Sequence, residues 1–353
     1  STIGIIGGGQ LGRMLAMAAA RLGYRTIVLE PQADCPAAQV TNRQIVAAYD
    51  DPAALAELGT ACDVVTYEFE NVPVGAAAAL ASRAKVSPPP MALEVSQDRL
   101  TEKSFVNAAG TPPATSRAVA RAAALSAACA ACGGPGGLKT NRMGYDGKGQ
   151  RVLRGAMPGD LLGLYAAMGG VPLILESLIP FEREISVIGT RGRDGAVQCY
   201  DPVENVHRDG VLHSSTVPAG VSGPPAEAAK SAATKILTEL GYVGVIGVEF
   251  FVLTDGNLLV NEIAPRVHNS GHWTEAACAI SQFEQHIRAV AGLPLGDPSR
   301  HSDCVMENLI GDDVNRLAEL AAQPDVVIHL YGKAEARPGR KMGHFTRLLG
   351  PKS

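Results

Sequence analysis

The sequence carries little net charge and no long apolar run. Its 353 residues include 31 Lys and Arg against 35 Asp and Glu, which leaves a formal net charge of −4. Without a general basic field, the chain is not expected to hold nucleic acid or an anionic membrane, so any anionic ligand must be bound by a local cluster. No stretch approaches the roughly 20 consecutive apolar residues of a membrane span, and a strand pattern starts at once, without a secretory leader. We therefore expect a cytoplasmic protein.

Cysteines are also few, seven in the whole chain. An odd number without regular spacing is typical of reduced thiols in small apolar positions rather than of a disulfide framework. Cys129 and Cys132 form a C-x-x-C pair, but they end an alanine-rich run that favours a helix. Because no second Cys or His pair has zinc-like spacing, helix packing is favoured there over a redox or metal site.

The chain is longer than one hydrophobic core usually organises, so two or three domains are expected. The first segment has the pattern of strand 2–6, glycine turn 7–12, helix 13–22 and strand 25–29, and a further strand at 62–67 ends near Glu68, Glu70 and Asn71. This order predicts an α/β fold with a doubly wound parallel sheet. Three consecutive prolines at 88–90 predict the first domain boundary, because proline continues neither a helix nor a central strand.

The glycine turn matches a dinucleotide-binding fingerprint. Gly7, Gly9 and Gly12 satisfy G-x-G-x-x-G between a strand and a helix, and Glu30 ends the next strand. On this motif alone an NAD-dependent oxidoreductase is an open alternative, because such a turn directs backbone N–H groups at any phosphate. The motif predicts an anion site without identifying nicotinamide, and the rest of the chain lacks a hydride-transfer pattern.

Two acidic residues are predicted to face each other across a hairpin. Asp255-Gly256 between apolar runs is a strong hairpin signal, and a two-residue turn there places Glu249 directly opposite Glu262, with Cβ atoms about 5 Å apart. Such a pair repels by roughly 3 kcal/mol at an effective dielectric of 20. A magnesium ion would remove this cost, and Asn261 could share its coordination. The open alternatives are a solvated acidic face or a carboxyl pair that shares one proton.

A polar cluster follows the second strand of this hairpin. Arg266 could clamp a phosphoryl group, and His268 with Asn269 could position or deprotonate a second substrate. His268 and His272 are four residues apart, a spacing that also allows a zinc pair. The Asn-Ser-Gly between them favours a loop and no third ligand is evident, so zinc is disfavoured.

Lys139 precedes a glycine-rich segment, 144–150, that could lay backbone N–H groups over phosphates while the lysine supplies a point charge. The segment does not have the P-loop pattern. Its Asp-Gly-Lys-Gly sequence is also common turn chemistry, so an ordinary exposed hairpin is the alternative.

Five segments, taken in order, carry a family resemblance: Gly-Gly-Gly-Gln-Leu-Gly-Arg, Tyr-Glu-Phe-Glu-Asn-Val, Ser-Gln-Asp-Arg-Leu-Thr-Glu-Lys, Gly-Tyr-Asp-Gly-Lys-Gly-Gln and Asn-Glu-Ile-Ala-Pro-Arg-Val-His-Asn-Ser-Gly-His-Trp. Together they closely resemble the 5-(carboxyamino)imidazole ribonucleotide synthetase family of purine biosynthesis, within the ATP-grasp group. The resemblance implies conversion of 5-aminoimidazole ribonucleotide, bicarbonate and ATP to the N-carboxylated ribonucleotide, ADP and phosphate. It further implies two magnesium ions and a homodimer.

The same resemblance implies three domains: an N-terminal Rossmann-like domain over 1–95, an ATP-grasp domain over 96–295 with a lid around 115–177, and a small C-terminal domain over 296–353. The implied magnesium ligands are Glu249 and Glu262. The implied ATP contacts are Arg99, Lys139, Gly144, Tyr145, Asp146, Gly147, Lys148, Gly149, Gln150, Glu176, Ser177, Leu178, Ile179, Glu184, His207, Asn261 and Glu262. The implied ribonucleotide contacts are Gly9, Gln10, Leu11, Glu70, Tyr145, Asp146 and Lys148, with Lys333 and Arg340 at the phosphate.

The implied catalytic residues are Lys139, Asp146, Arg266, His268 and Asn269. In this hypothesis bicarbonate attacks the γ-phosphate of ATP to give carboxyphosphate, which carboxylates the amine directly or through released CO₂. The glycine-rich stretch 133–137 is expected to weaken the strand before Lys139. The remaining alternatives are a formate-using ATP-grasp ligase and a catalytically silent nucleotide-binding module.

Overall fold

The computed structural model describes residues 1–155 and 159–353. The N-terminal part folds as a three-layer α/β unit around a five-stranded parallel sheet of order β3-β2-β1-β4-β5. Its elements are β1 (Thr2–Ile6), α1 (Gln10–Arg21), β2 (Arg25–Leu29), β3 (Arg43–Ile45), α2 (Pro52–Ala61), β4 (Val64–Tyr67), α3 (Val74–Ala81), β5 (Lys85–Val86) and α4 (Pro90–Gln97).

The predicted doubly wound parallel sheet is confirmed. Strands β1, β2 and β4 are rich in Ile and Val and nearly fully buried, as expected for parallel strands covered on both faces. Ile6, Leu29 and Tyr67 end these strands at one edge of the sheet, where the glycine turn and Glu68 follow. This edge, at the carboxyl ends of the strands, is where open α/β sheets bind ligands.

The predicted lid region forms a small antiparallel sheet of order β6-β9-β7-β8. Helix α5 (Arg99–Ala108) precedes this region. The region itself consists of β6 (Ser116–Val119), α6 (Leu125–Ala131), β7 (Gly136–Thr140), β8 (Gln150–Val152), α7 (Leu161–Ala167) and β9 (Leu173–Ser177). The glycine-rich stretch does not prevent β7 from forming. A Cβ atom on Gly136 would lie only 2.1 Å from the carbonyl oxygen of Glu176, so glycine at this position permits the close approach of β7 to β9.

The remaining strands form one large sheet of order β15-β14-β10-β12-β13-β16-β18-β17, with β11 paired to β10. Its elements are β10 (Phe181–Arg191), β11 (Val197–Cys199), β12 (Val203–Arg208), β13 (Val211–Val217), α8 (Pro224–Glu239), β14 (Gly244–Leu253), β15 (Leu258–Ala264), α9 (Thr274–Ala277), α10 (Gln282–Ala291), β16 (Ser302–Ile310), α11 (Leu317–Ala321), β17 (Val326–Leu330) and β18 (Lys341–Pro351). The C-terminal strands therefore extend the sheet of the central region through the pairing of β13 with β16.

A continuous core joins the N-terminal unit to the large sheet. Met14 and Leu15 of α1 belong to the same buried cluster as Trp273, Phe283 and Ile287. His286 of α10 links the two sheets by polar contacts, because its imidazole hydrogen-bonds to the Thr66 hydroxyl on β4 and to the Val245 N–H on β14. In the described parts of the chain, no helix combines the length and apolarity that a membrane crossing requires.

Candidate active site

A cleft of about 750 Å³ lies where the carboxyl edge of the N-terminal sheet, the lid and the large sheet meet. The N-terminal sheet contributes Gln10, Leu11 and Glu70, the lid contributes Lys139 and the segment after it, and the large sheet contributes the hairpin β14–β15 and the start of β18. The cleft therefore collects side chains that are far apart in the sequence.

Glu249 and Glu262 are direct cross-strand neighbours, as the sequence predicts, but the predicted two-residue turn is wrong. Leu253 pairs with Asn257, so three residues, 254–256, form the loop, and Gly256 occupies the left-handed region at φ 82°. The pairing would then be one residue out of step with the prediction. A bulge between Glu249 and Phe250 restores it, because Asn261 is an extra residue on β15. The two departures cancel.

This bulge has a chemical consequence. Successive residues of a regular strand point to opposite faces, yet both Asn261 and Glu262 line the cleft. The side-chain oxygen of Asn261 is buried and has no hydrogen-bond partner among the described residues. An unpartnered amide oxygen beside two carboxylates is a set of hard oxygen donors, which fits magnesium with its remaining positions filled by water and phosphate. The described residues contain no group of three or more His, Cys, Asp and Glu suited to a metal.

The two carboxylates differ in their surroundings. The side chain of Glu249 is 12% exposed and that of Glu262 is 38% exposed. Burial raises the pKa of Glu249 well above its usual range, and the charge of Glu262 raises it further. Burial alone would raise the pKa of Glu262. The Arg99 guanidinium, whose Nη1 lies 3.3 Å from Oε2, acts together with the hydrogen bond to Glu249 and the charge of Lys139 to lower it. The pair therefore holds one proton readily, which a bound cation would displace.

Lys139 is fixed by a buried carboxylate. Its Nζ lies 2.9 Å from Oε2 of Glu176, and Nζ of Lys103 lies 3.4 Å from Oε1 of the same residue. Burial alone would raise the pKa of Glu176, but the two ammonium groups lower it. Glu176 does not line the cleft, but it holds Lys139, which does. Lys103 also donates to the Asn261 carbonyl at 2.6 Å and so supports the bulge.

Arg266 forms a two-point ion pair with Glu70. Its Nε lies 2.5 Å from Oε2 and its Nη2 lies 3.2 Å from Oε1, while Nη1 donates to the Val267 carbonyl. Burial would raise the pKa of Glu70, but the guanidinium outweighs burial and lowers it. Three of the five N–H groups of Arg266 are thus engaged, which leaves two for a phosphoryl oxygen.

His268 is a neutral imidazole in the wall of the cleft. Burial, together with the charge of Arg266, lowers its pKa to about 3. Its Nδ1 lies 2.7 Å from the Ser270 hydroxyl, which in turn hydrogen-bonds to Ser186. The other ring nitrogen, Nε2, is 4.0 Å from Oε1 of Glu249. The ring is therefore uncharged near neutral pH and can take part in a hydrogen bond with a substrate.

The predicted anion site of the glycine turn is filled by the protein itself. The N–H groups of Gly9 and Gly12 each donate to the Glu68 carboxylate at 2.7 Å, and that of Gly8 donates to Glu30 at 2.9 Å. Because two carboxylates already accept these hydrogen bonds, the turn does not offer its N–H groups to a dinucleotide phosphate. The oxidoreductase alternative loses its only support.

The glycine-rich segment 144–150 covers one end of the cleft. Nζ of Lys148 is 3.2 Å from the Tyr145 hydroxyl and lies over its ring. Asp146 accepts a hydrogen bond from Lys341 at 2.9 Å. The two cations predicted at the substrate phosphate lie nearby but do not line the cleft. Lys333 donates to the Lys341 carbonyl, and burial together with the charge of Arg340 lowers its pKa to about 8.

The structure brings most of the predicted residues to the cleft. Those that line it are Gln10, Leu11, Glu70, Arg99, Lys139, Gly144, Tyr145, Asp146, Gly147, Lys148, Gln150, Glu184, His207, Glu249, Asn261, Glu262, Arg266, His268 and Asn269. Those outside the lining are Gly9, Gly149, Glu176, Ser177, Leu178, Ile179, Lys333 and Arg340. The role of each residue stays a prediction.

Sequence reasoning missed several lining residues. Phe181 and Phe251 stack with ring centroids 4.7 Å apart and form an apolar wall. Phe251 is two residues after Glu249 on the same strand, so the period of two could have placed it beside the carboxylates. Lys341 gave no such signal, because its position depends on the pairing of distant strands.

The fold and this cleft define an ATP-grasp enzyme, and family models agree along the chain. An ATP-grasp domain matches residues 104–283, a ribonucleotide synthetase preATP-grasp domain matches residues 1–97, and a phosphoribosylaminoimidazole carboxylase C-terminal domain matches residues 304–350. The chain belongs to the N5-carboxyaminoimidazole ribonucleotide synthase family.

Curated relatives of that name show the likeness over the full chain. The protein of Brucella melitensis is 65% identical over 348 residues, covering 99% of this chain and 96% of the relative. That of Pseudomonas aeruginosa is 46% identical over 345 residues, covering 98% and 93%.

Solved structures agree. The N5-carboxyaminoimidazole ribonucleotide synthetase of Thermus thermophilus superposes with a TM-score of 0.90 at 43% identity, covering 98% of this chain and 93% of that one. The N5-carboxyaminoimidazole synthase of Aspergillus clavatus in complex with ADP and 5-aminoimidazole ribonucleotide superposes with a TM-score of 0.92 at 33% identity, covering 99% and 94%.

Proposed function

We propose that this chain carboxylates 5-aminoimidazole ribonucleotide in purine biosynthesis, using ATP and bicarbonate and releasing ADP and phosphate. The observation that carries the proposal is the cleft itself, which combines a magnesium-type oxygen set at Glu249, Asn261 and Glu262 with a polar wall formed by Arg266, His268 and Asn269. The full-length likeness to synthases of this name supports the choice of substrates.

The nucleotide belongs at the hairpin side of the cleft. Lys139, held by Glu176, and Arg99, paired with Glu262, supply positive charge there, and the Phe181–Phe251 wall offers an apolar surface for a base. Magnesium, held by Glu249 and Glu262, would neutralise phosphate charge during transfer. Two ions are proposed, and Glu249, Asn261 and Glu262 are the residues that would hold them.

Two steps follow. A bicarbonate oxygen attacks the γ-phosphorus and the bond to the β-phosphate oxygen breaks, which yields carboxyphosphate and ADP; the free N–H groups of Arg266 stabilise the charge on the transferred group. The exocyclic amine then attacks the carboxyl carbon of carboxyphosphate, or of CO₂ released from it, and phosphate leaves. Neutral His268, with Asn269 beside it, accepts or relays the amine proton, and Asp146 orients the amine.

The test is ADP release at fixed bicarbonate with and without 5-aminoimidazole ribonucleotide, with the product identified by mass. We expect ribonucleotide-dependent ADP release and a product heavier by one carboxyl group. Formate in place of bicarbonate is the control for the related ligases, and nicotinamide absorbance is the control for the oxidoreductase. ADP release with formate but not bicarbonate, or none with either, would refute the proposal.

The family resemblance also supports a homodimer in the cytoplasm. Sedimentation of the purified protein at micromolar concentration would test the first point, where a mass of one chain would contradict it. Cell fractionation would test the second.

A further inference from the structure

One ion pair joins the segment over the cleft to the C-terminal strands. Lys341 is the first residue of β18, and its Nζ lies 2.9 Å from Oδ1 of Asp146, which is 195 residues away in sequence. The lysine side chain is 13% exposed and that of Asp146 is 47% exposed. Lys341 also lines the cleft, so this contact is at the site rather than on an outer surface.

The lysine is held rigidly. It pairs with Ile310 of β16 in the large sheet, and its carbonyl accepts a hydrogen bond from Nζ of Lys333 at 2.6 Å. Its ammonium group therefore projects from a fixed strand. A lysine side chain that packing already restricts loses less further freedom when the pair forms than an exposed one does.

Asp146, by contrast, lies in a tight turn, in which the Lys148 N–H donates to the Tyr145 carbonyl at 2.8 Å. Asp146 at φ 44° and Gly147 at φ 76° both lie in the left-handed region, as in a type I′ turn, for which Asp-Gly is a favoured pair. Among the hydrogen bonds of the described residues, its carboxylate takes part only in the one from Lys341. The backbone of Asp146 is thus set by its own turn, whereas, within the described residues, its carboxylate is held by another part of the chain.

The rest of the segment is anchored at two places. Its C-terminal end is bound to β7, because the Thr140 N–H donates to the Gly149 carbonyl at 2.7 Å. Its tip, residues 145–147, rests on the turn between β12 and β13, where a Cβ atom on Gly210 would lie 2.7 Å from Cα of Gly147. That second contact is steric and non-polar, so the charge pair supplies the directional hold on the tip.

We propose that Lys341 is a positioning residue that holds Asp146, and with it the tip 145–147, over the ribonucleotide side of the cleft. This inference rests on the proposed function, since it assigns Asp146 to the second substrate. Loss of the lysine charge releases the tip but leaves the end at Gly149 bound to β7. The affinity for the ribonucleotide falls more than the affinity for ATP, whose side of the cleft is formed by Arg99, Lys139 and the hairpin.

The kinetic test compares the wild type with Lys341→Met, Lys341→Arg and the exposed control Lys235→Met. We expect Lys341→Met to raise the KM for the ribonucleotide about tenfold or more and to change the KM for ATP by less than about twofold. Lys341→Arg should recover most of the loss, because it keeps the charge within reach of Asp146. Equal rises in both KM values, or a fall in kcat with both KM values unchanged, would overturn the inference.

A double-variant cycle isolates the pair. If Lys341 acts through Asp146, adding Lys341→Met to Asp146→Asn lowers kcat/KM little beyond the Asp146→Asn value. Multiplicative losses would mean that Lys341 acts independently of Asp146 and would also overturn the inference.

A third readout needs no turnover. Limited trypsin digestion should cut after Lys148 faster in Lys341→Met than in the wild type or in Lys235→Met, since the released tip is more accessible. Equal cutting rates would contradict the inference. If the wild type shows no ribonucleotide-dependent ADP release, the proposed function fails, whereas the digestion still tests the hold on the tip.

Discussion

Replacing Arg266 with methionine removes both hydrogen bonds that this residue donates to Glu70 and leaves a carboxylate without its partner. Breaking a fully buried ion pair in this way costs about 3–5 kcal/mol. The side chains of Arg266 and Glu70 are 18% and 23% exposed, so solvent reduces the cost, and we expect about 2–3 kcal/mol. With an unfolding entropy of about 2.1 cal/mol/K per residue, that is a fall of ~3–4 °C in melting temperature if the chain unfolds as one unit.

The loss of stability and the loss of activity can be separated. In Arg266→Met with Glu70→Gln the lone carboxylate is gone, so most of the melting temperature should return, while turnover stays at least about a hundredfold below the wild type because the phosphoryl contact is still missing. Arg208→Met, at an exposed arginine, is the control for removal of a positive charge. The assay is thermal unfolding followed by fluorescence, alongside ribonucleotide-dependent ADP release.

The sign of the pH dependence gives an independent check. The pKa of Glu70 is lowered in the folded protein, so the stability from this pair is present above the unfolded pKa near 4.5 and is lost as the pH falls through the lower folded value. In Arg266→Met the lone buried carboxylate of Glu70 protonates more easily than in the wild type. The difference in unfolding free energy between the variant and the wild type should therefore be largest above about pH 6 and should become smaller toward pH 4. A difference in unfolding free energy that does not depend on pH would refute the role of the Glu70 carboxylate. Near-normal turnover in Arg266→Met would refute the phosphoryl contact.

Three further predictions concern other parts of the molecule. Asn261→Ala should keep the fold and raise the KM for magnesium-ATP about tenfold, and an unchanged magnesium dependence would exclude this oxygen from the metal set. Gly12→Ala should lower the melting temperature by about 1–4 °C, because the new Cβ would lie 2.6 Å from the Gly7 carbonyl. Unchanged melting would contradict the close packing of α1 on the turn. Stability in urea should fall as the pH drops from about 6.5 toward 4, since burial lowers the pKa of His286 to about 3 while the unfolded chain takes up the proton at its usual value. In His286→Asn the slope of the unfolding free energy against pH should correspond to about one proton fewer than in the wild type. Equal slopes would refute the lowered pKa of His286.

Local pattern was sufficient where neighbouring residues decide the structure. The apolar runs on both sides of Asp255-Gly256 predicted the hairpin and the facing pair Glu249 and Glu262, and the strand–glycine–helix order predicted the parallel sheet. The turn length was wrong, because a three-residue loop and a bulge at Asn261 compensate for each other. Sequence spacing alone does not distinguish that arrangement from a two-residue turn.

The glycine turn shows where local pattern ends. Gly7, Gly9 and Gly12 determine a loop with N–H groups that are free of intrahelical partners. The group that accepts their hydrogen bonds depends on which other segment packs against the loop. Here it is the carboxylate of Glu68, from the end of a different strand. A backbone donor site has no preference between a side-chain carboxylate and a ligand phosphate, so the choice depends on tertiary structure.

The sequence by itself therefore determined the kinds of group available: paired acids, a lysine with a glycine segment, an Arg-His-Asn cluster, and the strands that carry them. Only the tertiary structure decided that Arg266 is held by Glu70 and that Lys341 meets Asp146 across 195 residues. Residue type and short-range period are fixed by covalent order. Contacts between distant segments instead depend on how β13 pairs with β16 and how the N-terminal sheet packs on α10, which no local period specifies.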